Sequence, residues 1–424
     1  MVTATVDASA LNHRRDNPWN RQPVSLDRGR ILSADGVVLA RSVRRGDTWH
    51  RDYPLGAVTA GVVGWVSRSG SLGGAELAYD AALAEGQDVR LTIVASWQDA
   101  AYRALAGRTG AAVLLDHRSG AVRVLVSTPS FDPEPLASPD PEVAATARTR
   151  LLADPANPLL IGAYQQRYAP GSIFKLVDVQ AASTSALDLT EAHPVLRTWT
   201  APEGQAIDNA DGMACGGDLV RMLEVSCNTT ATAVGERVGT DALRGAADQL
   251  GLHGAPAFDL PGAASTGFPT SSDPFIAALA AIGQGDVSIS PLQAAVMVSA
   301  ATSDEVPGLR LRDADAEDPA RPAATGADPA AREVLRSGMA RCIQVGTCRE
   351  LQNTGARFAK TGTAQTGTSE TDARRNAWIV ASNDRLAASV LVVGKPGERV
   401  TGGTDAASVA RAVLLRAGDG EVTR

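Results

Sequence analysis

Lysine is nearly missing from this chain: of its 40 basic residues only Lys175, Lys360 and Lys395 are lysines, and the other 37 are arginines. A GC-rich genome is the ordinary source of such a bias. Its chemical consequence is specific, because arginine does not deprotonate near neutral pH and lysine can. Aromatics are scarce too, at 4%, and 40 basic against 47 acidic side chains leave a net charge of −7. With neither a cationic surface for a polyanion nor rings on which bases could stack, no nucleic-acid partner is expected.

Long hydrophobic runs are also lacking. Stretches such as Phe275–Ile282 fall far short of the ~20 residues that cross a bilayer, and the first residues are polar, so neither a membrane span nor a signal peptide is expected. Four cysteines, Cys215, Cys227, Cys342 and Cys348, are too few to build a fold of 424 residues on disulfides. There is no CxxC pair, and His13, His50, His117, His193 and His253 stand apart from one another, so no metal site is expected. The spacings allow two local disulfides, 215 with 227 and 342 with 348, in an oxidising compartment. Four buried free thiols fit the same spacings equally well.

What is present is ample apolar material, 44% of the residues, enough for a sizeable core and more than one domain. Residues 1–90 alternate in short runs, with Asp35-Gly36 supplying a hairpin turn, and read as a small irregular β-containing module. From Ile93 to Ala106 the periodicity is helical, and Ala111–Leu115 and Val122–Val126 follow as two strands. Ile173–Ala182 is apolar on nearly every face, which marks a helix buried in a core. Several helices broken by Gly and Pro occupy the middle, and 303–330 is a polar excursion. Strand character returns in Phe358–Ala364, Ala377–Ser382 and Leu386–Val393. Strands, then helices, then strands predict an α+β fold: one five-stranded antiparallel sheet flanked by helices over 91–424, its first two strands early and its last three late.

Three short motifs carry chemistry. Ser172-Ile-Phe-Lys175 sets a hydroxyl and an amine three residues apart at the start of the buried helix, on one face. A serine alcohol needs a neighbouring base before it attacks, and a desolvated neutral lysine can serve. A helix cap beside a surface lysine would give the same four letters, but this lysine lies in an apolar helix, where an unpaired ammonium is costly. Ser226-Cys-Asn228 offers a hydroxyl and an amide from a loop between helices. Lys360-Thr-Gly-Thr-Ala364 lies on a strand, where alternation would point Lys360 and Gly362 opposite to Thr361 and Thr363, and Gly362 clears space for another backbone.

The ordered set Ser-x-x-Lys, Ser-x-Asn, Lys-Thr-Gly is the signature of penicillin-binding proteins and serine β-lactamases. The longer stretches Tyr168–Lys175, Ile282–Asp286 with Ser290-Pro-Leu-Gln293, and Ala359–Ala364 followed by Ala377-Trp378 resemble class B penicillin-binding proteins, the monofunctional D,D-transpeptidases of peptidoglycan synthesis. At the front, Asn17–Arg21, Asp27-Arg-Gly-Arg-Ile31 and Tyr53-Pro-Leu-Gly56 resemble the N-terminal module of that class, most of all its actinobacterial cell-division-type members. In the place of the second glycine of the family's Gly-Thr-Gly turn this chain has Cys348, after Gly346-Thr347.

The resemblance implies a transpeptidase domain at 91–424 behind a non-catalytic pedestal or dimerisation-type module at 1–90. It implies Ser172 as nucleophile and Lys175 as general base, with Ser226 and Asn228 lining the cleft. Lys360, Thr361, Gly362 and Thr363 would bind the substrate, and the backbone N–H groups of Ser172 and Thr363 would form the oxyanion hole. Two converging lysines would lower each other's pKa. The implied partners are D-Ala-D-Ala stem peptides, β-lactams, and a glycosyltransferase or other cell-wall synthesis protein; no cofactor is implied. The implied location is extracytoplasmic, at the cell membrane through an N-terminal anchor of the kind the family carries, and there the disulfide pairing is expected. Rival readings are a D,D-carboxypeptidase or β-lactamase-type hydrolase, and a non-catalytic β-lactam sensor or division scaffold. Against a class A β-lactamase, no Glu-x-x-x-Asn stands between Asn228 and Lys360.

Overall fold

The computed structural model describes residues 24–70, 72–304, 306–313, 323–366 and 373–419; the stretch Asn17–Arg21 lies outside them. Two compact units emerge, one formed by the chain up to Arg90 together with Ser130–Leu159, the other by Leu91–Pro129 and Leu160–Arg424. Where the sequence reading runs 91–424 as one stretch, 130–159 therefore leaves the second unit and packs with the first. The cause is local. Phe131 meets Trp65 edge to face at 5.6 Å, and Ser130 Oγ donates to the Ala57 carbonyl at 2.7 Å.

The first unit holds a four-stranded sheet of β1 (Ile31–Leu32), β2 (Val38–Arg45), β3 (Thr48–Asp52) and β4 (Val89–Arg90), in the order β3-β2-β1-β4. The turn between β1 and β2 closes with Gly36 N–H on the Ser33 carbonyl at 3.0 Å, as Asp35-Gly36 predicts. Arg28, from the Asp27–Ile31 motif, and Arg51 are both buried and grip the two oxygens of buried Glu76, at 3.1 and 2.7 Å. Burying three charges is tolerable only because they are paired, which accounts for an arginine at that place in the motif.

The second unit is built on the expected sheet. Its order is β11-β12-β13-β5-β6, with β5 Thr109–Asp116, β6 Ala121–Thr128, β11 Phe358–Thr366, β12 Arg374–Ser382 and β13 Leu386–Val393; the short strands β7 (His193–Leu196), β8 (Thr198–Thr200), β9 (Ala206–Asp208) and β10 (Cys215–Gly217) form two separate pairs, β7 with β10 and β8 with β9. Every neighbouring pair is antiparallel. The two early strands thus sit beside the last one. Strands β5, β12 and β13 are buried almost end to end, so alternation is muted and they read as apolar runs. Helices α1 (Ala95–Ala104) and α8 (Ala407–Asp419) pack on each other and on the sheet, and α6 (Pro291–Thr302), buried at every residue, packs on β5, β12 and β13. Ser290 and Gln293 form a capping box at the start of α6, which satisfies orphan N–H groups of a helix that water cannot reach.

Five more helices belong to this unit: α2 (Lys175–Thr184), α3 (Leu219–Val225), α4 (Asn228–Gln249), α5 (Pro274–Ala281) and, after α6, α7 (Pro329–Gln344). A 3₁₀ turn, Gly171–Phe174, precedes α2 and lies against the edge strand β11. An edge strand offers unpaired backbone groups. Here they face the residues that matter most.

Candidate active site

Ser172 sits in the 3₁₀ turn and Lys175 opens α2. The turn is held from both sides. Trp378 Nε1 on β12 donates to the Ala169 carbonyl at 2.9 Å, and Gly171 N–H donates to the Gly283 carbonyl at 3.0 Å. Gly171 has φ +55, and a Cβ there would lie 2.8 Å from the Thr363 carbonyl oxygen. On the facing strand, a Cβ on Gly362 would lie 2.7 Å from the Pro170 carbonyl oxygen and 3.1 Å from Ile173 N. Two glycines thus let the nucleophile turn and the strand touch backbone to backbone. The sequence stretches Ile282–Asp286 and Ala377-Trp378 act here as scaffolding for Ser172.

Lys175 Nζ donates to Ser172 Oγ at 2.6 Å and to Asn228 Oδ1 at 2.8 Å. The lysine is fully buried, and burial lowers its pKa to about 7, opposed by the charge of Asp178. At neutral pH a large fraction of Lys175 is therefore free amine, able to take the serine proton. Ser226 occupies the left-handed region, φ +64, in the two-residue break between α3 and α4. Its Oγ accepts from Lys360 Nζ at 2.8 Å, and the same Nζ donates to the Thr361 carbonyl at 2.8 Å. Burial, and then the charge of Lys175, push Lys360 well below the ordinary lysine value. Mutual depression of the two lysines thus holds for Lys360, whereas burial is the cause at Lys175.

A cleft of about 480 Å³ opens over this constellation, lined by Ser172, Ser226, Asn228, Thr361, Gly362 and Thr363 among others. Strand alternation alone would separate Lys360 and Gly362 from the two threonines. They converge because the lysine side chain is long enough to reach Ser226, while Gly362 contributes only backbone. Thr361 and Thr347 share a hydroxyl hydrogen bond of 2.5 Å, and Thr363, the exposed one, receives Gly402 N–H at 3.4 Å.

Two residues that the sequence reading does not assign to the site complete it. Asn209, buried, accepts from the backbone N–H groups of Asn228 and Thr229 at 2.8 and 3.1 Å, fixing the start of α4 from which Asn228 projects. Thr347 steadies Thr361. Thr347 lies in the Gly346-Thr347 turn, which the sequence reading uses only for Cys348, and nothing local marks Asn209; each works through a partner more than ten residues away.

Both cysteine pairs are closed as disulfides, Cys215–Cys227 and Cys342–Cys348, so of the two readings the paired one holds. Cys227 stands between Ser226 and Asn228, and Cys348 follows Thr347, so each bond staples a segment that carries a site residue. Thiol titration of denatured, unreduced protein should find no free thiol; four would count against the pairing. Among the described residues no cluster of metal-ligating side chains occurs and no helix is long and apolar enough to cross a membrane.

Comparison with known proteins gives a consistent picture. Residues 110–415 match the family model of the penicillin binding protein transpeptidase domain, and residues 28–108 that of the penicillin binding protein A dimerisation domain. The chain is 31% identical to the peptidoglycan D,D-transpeptidase PbpA of Mycolicibacterium smegmatis, across 98% of this chain and 95% of the relative. It is 33% identical to PbpA of Mycobacterium tuberculosis H37Rv, across 96% and 93%. The crystal structure of PBPA from M. tuberculosis superposes with a TM-score of 0.82 at 29% identity, covering 94% of this chain and 100% of that one. The penicillin G acyl-enzyme complex of the same protein gives 0.81 over the same shares, also at 29% identity.

Proposed function

This chain belongs to the penicillin-binding protein transpeptidase family and is a serine-type peptidoglycan D,D-transpeptidase, and we propose that Ser172 carries its acyl group and is acylated by β-lactams, as the M. tuberculosis protein is by penicillin G. Ser172 Oγ attacks the carbonyl of the penultimate D-alanine as Lys175 Nζ takes the hydroxyl proton. The negative charge on the tetrahedral oxygen is met by the backbone N–H groups of Ser172 and Thr363. The proton passes by way of Ser226 to the departing D-alanine nitrogen, and the C–N bond breaks. An amine of a neighbouring stem peptide then attacks the ester, and Ser172 recovers its proton. Lys360, Thr361, Gly362 and Thr363 hold the terminal carboxylate and the edge of the acyl chain, and Asn228 holds a substrate amide. The observation that carries this reading is the 2.6 Å contact between Ser172 Oγ and a buried Lys175.

In the same proposal, the unit of residues up to 90 with 130–159 is the non-catalytic pedestal or dimerisation-type module, and residues 91–129 with 160–424 are the transpeptidase domain. The site works outside the cytoplasm, where stem peptides lie, held at the membrane through an N-terminal anchor. A glycosyltransferase that makes the glycan strand is the partner that the reaction calls for. The direct test is incubation with a stem peptide ending in D-Ala-D-Ala and a labelled acceptor amine. Release of D-alanine with label incorporation, both lost in Ser172→Ala, is expected. Release of D-alanine with water as the only acceptor would make the protein a carboxypeptidase.

A further inference from the structure

Asp178 lies one turn beyond Lys175 on α2, and both side chains are fully buried. Residues three apart on a helix share a face, with Cβ atoms about 5–6 Å apart. Neither carboxyl oxygen of Asp178 has a hydrogen-bond partner. A carboxyl so placed costs stability, and an apolar residue would pack there without that cost. Its charged surroundings are simple. Among the described residues of α3, α4, α5, α6 and α7, the helices packed on α2, Glu224 is the only other buried ionisable group, and it is paired with Arg221 and Arg341. Burial pushes the Asp178 carboxyl well above the ordinary carboxylate value, and the charge that it faces, that of Lys175, opposes this rise.

We propose that Asp178 is a positioning residue of the acylation site, a buried counter-charge that sets the basicity of Lys175 through the helix without touching substrate. The inference rests on Lys175 being the general base. A lysine desolvated beside a serine gains availability as free amine but loses affinity for the proton it must accept, and the best base has a pKa near the working pH. The carboxylate restores part of that affinity. In the step the proton leaves Ser172 Oγ for Lys175 Nζ, and Asp178 in its ionised form stabilises the ammonium so formed.

The test is the pH dependence of acylation by a fluorescent penicillin. Asp178 raises the pKa of Lys175, so removing its charge lowers that pKa further and leaves the lysine neutral at lower pH. In Asp178→Asn the acid limb should move down by about one pH unit or more, and the high-pH plateau should fall several-fold as the base weakens. Asp178→Glu, which keeps the charge, should hold the limb near its original place. A limb that stays put in Asp178→Asn overturns the proposal. Asp178→Leu, which also removes the unsatisfied carboxyl, provides the same measurement should the asparagine variant fail to fold. An unmoved limb together with a dead Lys175→Arg enzyme would sink this inference alone, whereas an active Lys175→Arg enzyme would sink the assignment of the base.

Discussion

Lys175→Arg should abolish acylation while leaving the fold intact. The substitution keeps a positive charge at the start of α2 and removes the ability to accept a proton, because guanidinium stays protonated at any pH at which the protein is folded. The structure sharpens the expectation. Lys175 Nζ is the base within reach of Ser172 Oγ, and the other lysine at the site, Lys360, is spent on Ser226 and the Thr361 carbonyl. Loss of a general base costs roughly 10²- to 10⁴-fold, so labelling by a fluorescent penicillin should drop at least a hundredfold, with circular dichroism unchanged. In the parent protein the same chemistry fixes the sign of the pH dependence. The free amine is the active form and its pKa is about 7, so acylation should rise as pH increases through that value and fail below it. Near-normal labelling of a folded Lys175→Arg protein would remove the residue from its role.

How much of this site could be read from the sequence depends on the range of each interaction. Ser172 and Lys175 are neighbours on one helical turn, and Lys360 to Thr363 are neighbours on one strand, so their geometry follows from local periodicity. The five-stranded sheet was legible for a similar reason: its strands are apolar runs bounded by turns, and the early hairpin and late strands can pair in few ways. The convergence of Lys360 on Ser226 spans 134 positions and becomes visible only through the order of the motifs. Asn209 is an ordinary polar residue until the fold sets it against Asn228, and Thr347, quoted only as part of a turn pattern, shows its bond to Thr361 only in the fold. Residues 130–159 form a polar, proline-rich stretch with no apolar signal strong enough to show which unit they would join, and contacts such as Phe131 with Trp65 decide it. Cys348 breaks the family's turn pattern at one letter, and its bond to Cys342 gives the reason.

A penicillin should form an adduct at Ser172 that keeps the full mass of the drug and persists for many minutes or longer. Acylation requires the nucleophile, its base and two N–H donors, and Ser172, Lys175 and the contact of the nucleophile turn with β11 bring these together. Deacylation requires more, because a water must be held and deprotonated beside the ester. Among the described residues that line the cleft Asp211 is the one carboxylate, and it lies exposed on a surface turn, open to bulk water. The acceptor amine that normally completes the cycle is absent from the assay. The opened drug also stays tethered, unlike D-alanine, and occupies the path by which an acceptor would arrive. Without a positioned base the hydrolytic step loses on the order of 10²- to 10⁴-fold, which separates a trapped transpeptidase from a β-lactamase. Intact mass spectrometry over time reads the difference directly. Rapid conversion of penicillin to its hydrolysed acid, or the same adduct in Ser172→Ala, would refute the assignment.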